Sequence, residues 1–175
     1  MRTLVVALIG VVAFASGLML GFKLDSDEAG IPNASAGGLP AEVEQTRAGL
    51  LAAAESGDYE AVAAYVPTTG FKYTFGDPVA GGAVAYWQEL ERTSEERPLE
   101  ALAAILELPY VLSRGYYVWP WMYTVESSDH LSPHERDLLA PLGSPSELFP
   151  AGAGYYGWRA GFAPDGTWVF FVAGD

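Results

Sequence analysis

Two histidines four residues apart, His130 and His134, flanked by Asp129 and Glu135, have types and spacing that could do chemistry. Imidazoles and carboxylates on one helix face can hold a zinc ion or exchange a proton. The local sequence places them otherwise. Ser132-Pro133-His134-Glu135 reads as a capping box, with Ser132 as N-cap, Pro133 at the first helical position and Glu135 reaching back. His130 therefore precedes the helix, whereas a zinc site of the H-E-x-x-H kind needs both histidines inside it. Ser144-Pro145-Ser146-Glu147 repeats the device and marks another short helix; neither serine sits in a G-x-S-x-G elbow. Glu89, Glu91, Glu95, Glu96 and Glu100 gather carboxylates without the spacing of a calcium loop. No apolar pocket residue adjoins them to raise a pKa for acid–base work, so they read as a solvated helix end. No catalytic residue, metal ligand or cofactor is assigned.

Binding is better represented than catalysis. Tyr117, Trp119 and Trp121, with Trp158 further on, are candidates for an aromatic platform or pocket lip that would stack a sugar, a peptide or an apolar ligand. The alternative for these rings is ordinary core. Four of the five tryptophans fall in residues 116–123 or in the last twenty-one residues, and this density keeps the binding reading open. Arg159 is one of seven basic residues after Asp25 and lies in an otherwise apolar stretch. It could receive an anionic group at a cavity rim, pair with a local carboxylate, or lie along Phe171.

These residues need strands to position them. Residues 116–123 alternate with both faces apolar, and Pro120, which cannot donate to a ladder, puts the strand at an edge, at a bulge or at a break. Residues 155–175 predict a C-terminal hairpin around Ala163-Pro164-Asp165-Gly166, a turn in which Gly166 takes positive φ. The regular register pairs Phe162 with Trp168, Ala160 with Phe170 and Trp158 with Val172 on one face, and Gly161 with Val169 and Arg159 with Phe171 on the other. A third strand is expected at 71–75, with Phe71, Tyr73 and Phe75 on one side.

Helices account for the rest. Pro40, with Glu42 and Glu44 behind it, opens a helix to about Glu55; Asp58 caps a short second one that ends before Pro67. Two more contain Val84, Trp87 and Leu90, and then Leu99, Leu102, Ile105 and Leu106 after Pro98. The expected fold is α+β: helices packed on a small curved antiparallel sheet that ends in the hairpin. Two helices, the second reading SGDYEAVAAYV, followed by an aromatic strand resemble the opening of NTF2-like (SnoaL-type) domains over about residues 40–75. The resemblance implies a curved sheet around a pocket. It transfers no catalytic residue, and the chain departs from that pattern with two further helices before strands resume.

The chain has no cysteine, which excludes disulfides, thiolate chemistry and a lipoprotein anchor. From Asp25 onward seven basic residues face 22 acidic ones, a net charge of −15, and such a surface repels nucleic acid. Residues 4–22 carry no charge and follow Arg2, long enough nearly to span a bilayer. An uncleaved anchor and a cleaved signal peptide are both open. Cleavage after Ala13-Phe14-Ala15 leaves Gly17-Leu18-Met19-Leu20 as a greasy new terminus, which favours the anchor. The charges place the N-terminus in the cytoplasm and the domain outside it, single-pass at the cell membrane, or secreted or periplasmic if the signal is removed.

The chain therefore divides into a membrane helix at 1–24, a flexible acidic tether at 25–38 and one globular α+β domain at 39–175. The expected function is non-enzymatic: a tethered extracytoplasmic domain that binds an envelope protein or a small apolar or aromatic-stacking ligand. The alternative is an NTF2-like enzyme or small-molecule binder with a pocket under the sheet. The anchor reading makes a direct prediction: protein recovered from the membrane fraction retains residues 4–22, and N-terminal sequencing that starts at Ser16 or Gly37 overturns it.

Overall fold

The computed structural model describes residues 38–174; the apolar segment at 4–22 and nearly all of the tether lie outside the described residues. Among the described residues no helix is long and apolar enough to cross a membrane. The architecture is α+β. Helices α1 (Ala41–Glu55), α2 (Tyr59–Ala63), α3 (Gly82–Thr93) and α4 (Pro98–Leu106) come first. Strands β1 (Val111–Ser113) and β2 (Tyr116–Trp119) follow, then short helices α5 (Pro133–Leu139) and α6 (Pro145–Leu148), then β3 (Arg159–Phe162) and β4 (Trp168–Val172).

Local chemistry sets the helix ends. The Asp58 carboxylate accepts from the Glu60 and Ala61 N–H groups, satisfying donors that the first turn of α2 leaves unpaired. Pro98 starts α4, whose Leu99, Leu102, Ile105 and Leu106 are all buried. Helix α1 buries Val43, Leu50, Ala53 and Ala54. Arg47 fastens α1 to α4: its guanidinium grips Glu44 through two bonds of 2.8 and 2.7 Å and donates to the Leu106 carbonyl at 3.0 Å. A cation at the C-terminal end of α4 also opposes the partial negative charge there.

The sheet is antiparallel in the order β1-β2-β3-β4. Strand β1 was not foreseen. It joins β2 through Arg114 and Gly115, which have φ of 52° and 85°. A two-residue hairpin loop needs positive φ at both positions, and its usual sequence signal is Asn-Gly, not Arg-Gly. Strand β2 ends at Trp119, short of the 116–123 expected; the break at Pro120 is the outcome among the three considered, and Trp121–Thr124 turn as a 3-10 helix. The expected strand at 71–75 reduces to one parallel bridge, in which the Lys72 N–H donates to Val169 and the Phe171 N–H donates to Lys72. Its aromatic side chains scatter accordingly: Tyr73 is buried, whereas Phe75 is exposed.

The C-terminal hairpin has the expected turn and a different register. Gly166 donates to Ala163 at 2.9 Å, Ala163 donates to Thr167 at 2.9 Å, and Gly166 has φ of 82°. Phe162 pairs with Trp168 as expected, but a bulge at Val169 then shifts the ladder, so Gly161 faces Phe170, Ala160 faces Phe171 and Arg159 faces Val172. A bulge inserts one residue on one strand and so exchanges the faces beyond it. Trp168 and Phe171, three apart, thereby both reach the core side with Ala160 and Phe162. On the other side the Phe170 ring lies over Gly161, in the space a side chain at 161 would need.

Two hydrophobic clusters result. The first joins α1–α4 to one sheet face and contains Trp87, Trp119, Phe162, Trp168 and Phe171. The second gathers Trp121, Met122, Leu131, Leu139, Leu148, Phe149 and Tyr155 around α5 and α6.

The hairpin turn also touches α1, because a Cβ at position 166 would approach the Glu42 carbonyl oxygen to 2.6 Å. Positive φ and this approach both demand glycine. Gly166→Ala should lower stability by about 1–3 kcal/mol, read from denaturant unfolding of the full chain; an unchanged midpoint refutes the tight turn-to-helix contact.

Candidate functional site

A groove of about 800 Å³ opens at the end of the sheet where β3 begins and β4 finishes. Tyr73 and Tyr86 line one part of it, Tyr155, Tyr156 and Trp158 another, and Glu95, Glu96 and Glu147 supply its charge. Tyr73 belongs to the first cluster, Leu148 and Tyr155 belong to the second, and Leu142 packs on both, so the groove runs along the seam between the two cores.

Its walls are built from segments far apart in sequence. Chain entry to β3 is fixed by the Tyr156 N–H donating to Leu148 at 2.8 Å, and by Gly174, just after β4, donating to the Tyr156 carbonyl at 2.9 Å. Tyr155 folds back over Gly157, where a Cβ would come within 2.5 Å of its hydroxyl, and donates to the Trp158 carbonyl at 3.0 Å. Burial pushes the Tyr155 hydroxyl well above its usual pKa against the opposing influence of Arg159, so it stays a neutral donor. The Trp158 ring stacks on Phe171 with centroids 4.5 Å apart. Its indole N–H donates to Glu96 at 2.8 Å across the loop between α3 and α4. Tyr73 and Tyr86 pack 5.6 Å apart, and the Tyr73 hydroxyl accepts from the Val79 N–H at 3.0 Å. Glu147 is held by the second capping box, and hydrogen bonds from the Ser144 hydroxyl and N–H draw its carboxyl below the usual range.

The residues expected to bind a ligand separate in space. Trp158 is half-buried in the groove wall. Arg159 lines a different cleft of about 380 Å³ with Arg114, Tyr123 and Glu126, and only Tyr155 lines both. Its guanidinium is buried, not at a rim: it donates to the Tyr155 and Gly174 carbonyls at 3.4 and 2.6 Å and lies near the Phe75 and Tyr123 rings. Trp119 is enclosed in the first core against Phe162 and Tyr110. Trp121 is enclosed in the second, its indole donating to Glu135 at 3.3 Å. Tyr117 is half-buried beside Tyr110. The face of the sheet turned to the helices, where the NTF2-like resemblance implies a pocket, is filled by Trp87, Trp119, Phe162, Trp168 and Phe171. Sequence reasoning missed Tyr73, Tyr86, Glu95, Glu96, Tyr155 and Tyr156 as groove residues; the one local hint was the Tyr155-Tyr156-Gly157-Trp158 run.

His130 ends a 3-10 helix, Ser128–His130, and His134 lies inside α5, as the capping box requires. Among the described residues no three histidine, aspartate or glutamate side chains are arranged to hold a metal ion. Ser132 and Glu135 form the capping box in full, and Glu135 is buried by it. Compared with family models, with curated proteins and with solved structures, the chain matches none.

Glu135 makes the fold sensitive to acid. Burial raises its carboxyl pKa, but hydrogen bonds from Ser132 and Trp121, with His134 nearby, outweigh this and leave it below the ordinary value of 4.5. A carboxylate depressed in the folded state contributes stability that is complete above its unfolded pKa and is lost as pH falls through the folded one. Urea unfolding between neutrality and pH 3 should therefore show stability declining from about pH 4.5 downward, with a shallower decline in Glu135→Gln. Ser132→Ala should cost about 1 kcal/mol at neutral pH. Equal acid slopes in wild type and Glu135→Gln would refute this account.

Proposed function

We propose that the chain is a non-enzymatic binding protein, tethered to the membrane by residues 4–22 with its domain outside the cytoplasm, and that it takes a small ligand in the groove at the end of the sheet. The observation that carries the binding reading is the groove itself. It has the volume of a small-molecule site, and among the described residues five aromatic side chains and three carboxylates line it. Large rings held by their own contacts present stacking area with little entropy left to lose on binding.

The chemistry of the lining supports binding over catalysis. Among the described lining residues there is no serine, threonine, cysteine, lysine or histidine, which leaves carboxylates and tyrosines as the groups available for nucleophilic or acid–base chemistry. A general acid needs a raised carboxyl pKa, whereas Glu147 is lowered. Glu96 already accepts the Trp158 indole.

A matched set of phenyl compounds tests the reading on the full chain in neutral detergent: 2-phenylethanol, 3-phenylpropionate and 2-phenylethylammonium. At least one should move the Trp158 indole N–H resonance, identified by its loss in Trp158→Phe. Tyr156→Ala, an exposed groove residue, should weaken that binding by about threefold to tenfold. No shift with any of the three overturns the groove as a small-ligand site.

A further inference from the structure

We propose, resting on that reading, that the groove's ligand is a small organic cation: an ammonium nitrogen carried on a short apolar or aromatic stem. Among the described residues three carboxylates line the groove and no lysine, arginine or histidine does. The long-range field has the same sign, since the chain from Asp25 onward carries a net charge of −15. An anion would meet that field and find few donors. The Trp158 indole N–H is given to Glu96 and the Tyr155 hydroxyl to the Trp158 carbonyl. Both bonds leave the carboxylate charge and the ring faces in place. A cation gains from each: the negative π faces of Tyr86 and Tyr156 attract it, and the area of these rings takes up an apolar stem.

The same surroundings argue for a molecule over a bare metal ion. About 800 Å³ is far more space than an ion fills, and no three acidic or histidine side chains among the described residues are placed to coordinate one. Glu147, bonded to Ser144 and drawn below the usual carboxyl range, stays charged. Glu96, fixed by the indole at 2.8 Å, sets one carboxylate against the Trp158 edge. A neutral ligand of equal shape would leave these charges without a counterpart.

The three phenyl probes decide the matter by their order at low ionic strength. The ammonium should bind roughly tenfold more tightly than the alcohol, and the carboxylate should be weakest. Glu96→Gln keeps an acceptor for the Trp158 indole and removes one charge; it should weaken the ammonium by roughly threefold to tenfold and leave the alcohol unchanged. Glu60→Gln, which removes an equal charge from the exposed side of α2, should leave all three nearly as they were. Equal losses in the two variants would mean that the ammonium responds to the overall acidic field, and would overturn a cation site in the groove. Alcohol or carboxylate binding as tightly as the ammonium overturns the cation while leaving a binding groove, whereas silence from all three probes removes both readings. Capture of trilysine with no binding of the small amine assigns the groove to a basic peptide and overturns the small-molecule cation.

Discussion

Trp87 must be enclosed on every side, and the bulge at Val169 makes that enclosure available. Its ring meets Phe71 at 6.1 Å, Trp168 at 5.8 Å and Phe171 at 5.4 Å. Trp168 and Phe171 lie three apart on one strand, and a regular strand would send them to opposite faces. The extra residue brings them to one face. Burying a large apolar side chain contributes about 1.5–3 kcal/mol, and ordered aromatic pairs add about 0.5–1.5 kcal/mol each. The hairpin register therefore follows from where the rings can be buried. The indole nitrogens of Trp87 and Trp168 have no hydrogen-bond partner among the described residues, which offsets part of that gain.

The second consequence runs through Pro120. Because β2 stops at Trp119, Trp121 leaves the sheet and enters the cluster around α5 and α6, where Glu135 accepts its indole. Two neighbouring tryptophans thus anchor two cores. The groove lies along the seam between those cores, with Tyr73 and Trp158 on one side and Leu148 and Tyr155 on the other.

What the sequence discloses follows the range of the interactions. The capping boxes at Ser132 and Ser144, the Asp58 cap and the turn at Pro164 to Gly166 each close within four residues, and each is present. Arg114-Gly115 is equally local but uses an arginine at φ 52°, which residue preference does not announce. The bulge and the Lys72 bridge depend on partners distant in sequence. The groove was the least legible part. Glu95 and Glu96 read as a solvated helix end because nothing nearby in the chain is apolar enough to pair with them, yet Glu96 meets Trp158 across 62 residues. Arg159 was legible as unusual, but its burial depends on rings distant in sequence, Phe75 and Tyr123, near its guanidinium.

The site and the core are therefore not independent. Trp158 lines the groove while its ring stacks on Phe171, which in turn packs against Trp87. Removing that ring disturbs the floor of the groove and the main cluster together, so lost binding in such a variant says little about recognition. Tyr156 stands differently: its backbone holds the chain between Leu148 and Gly174, while its ring is exposed. Truncating that ring leaves the backbone bonds intact and changes the groove alone. The same distinction separates Glu96, whose charge can be removed while its bond to the indole is kept, from Glu147, whose carboxylate also caps α6. A groove whose walls are fixed by buried stacking and short hydrogen bonds loses little freedom when occupied. Its selectivity then rests on the charge and shape those bonds hold in place.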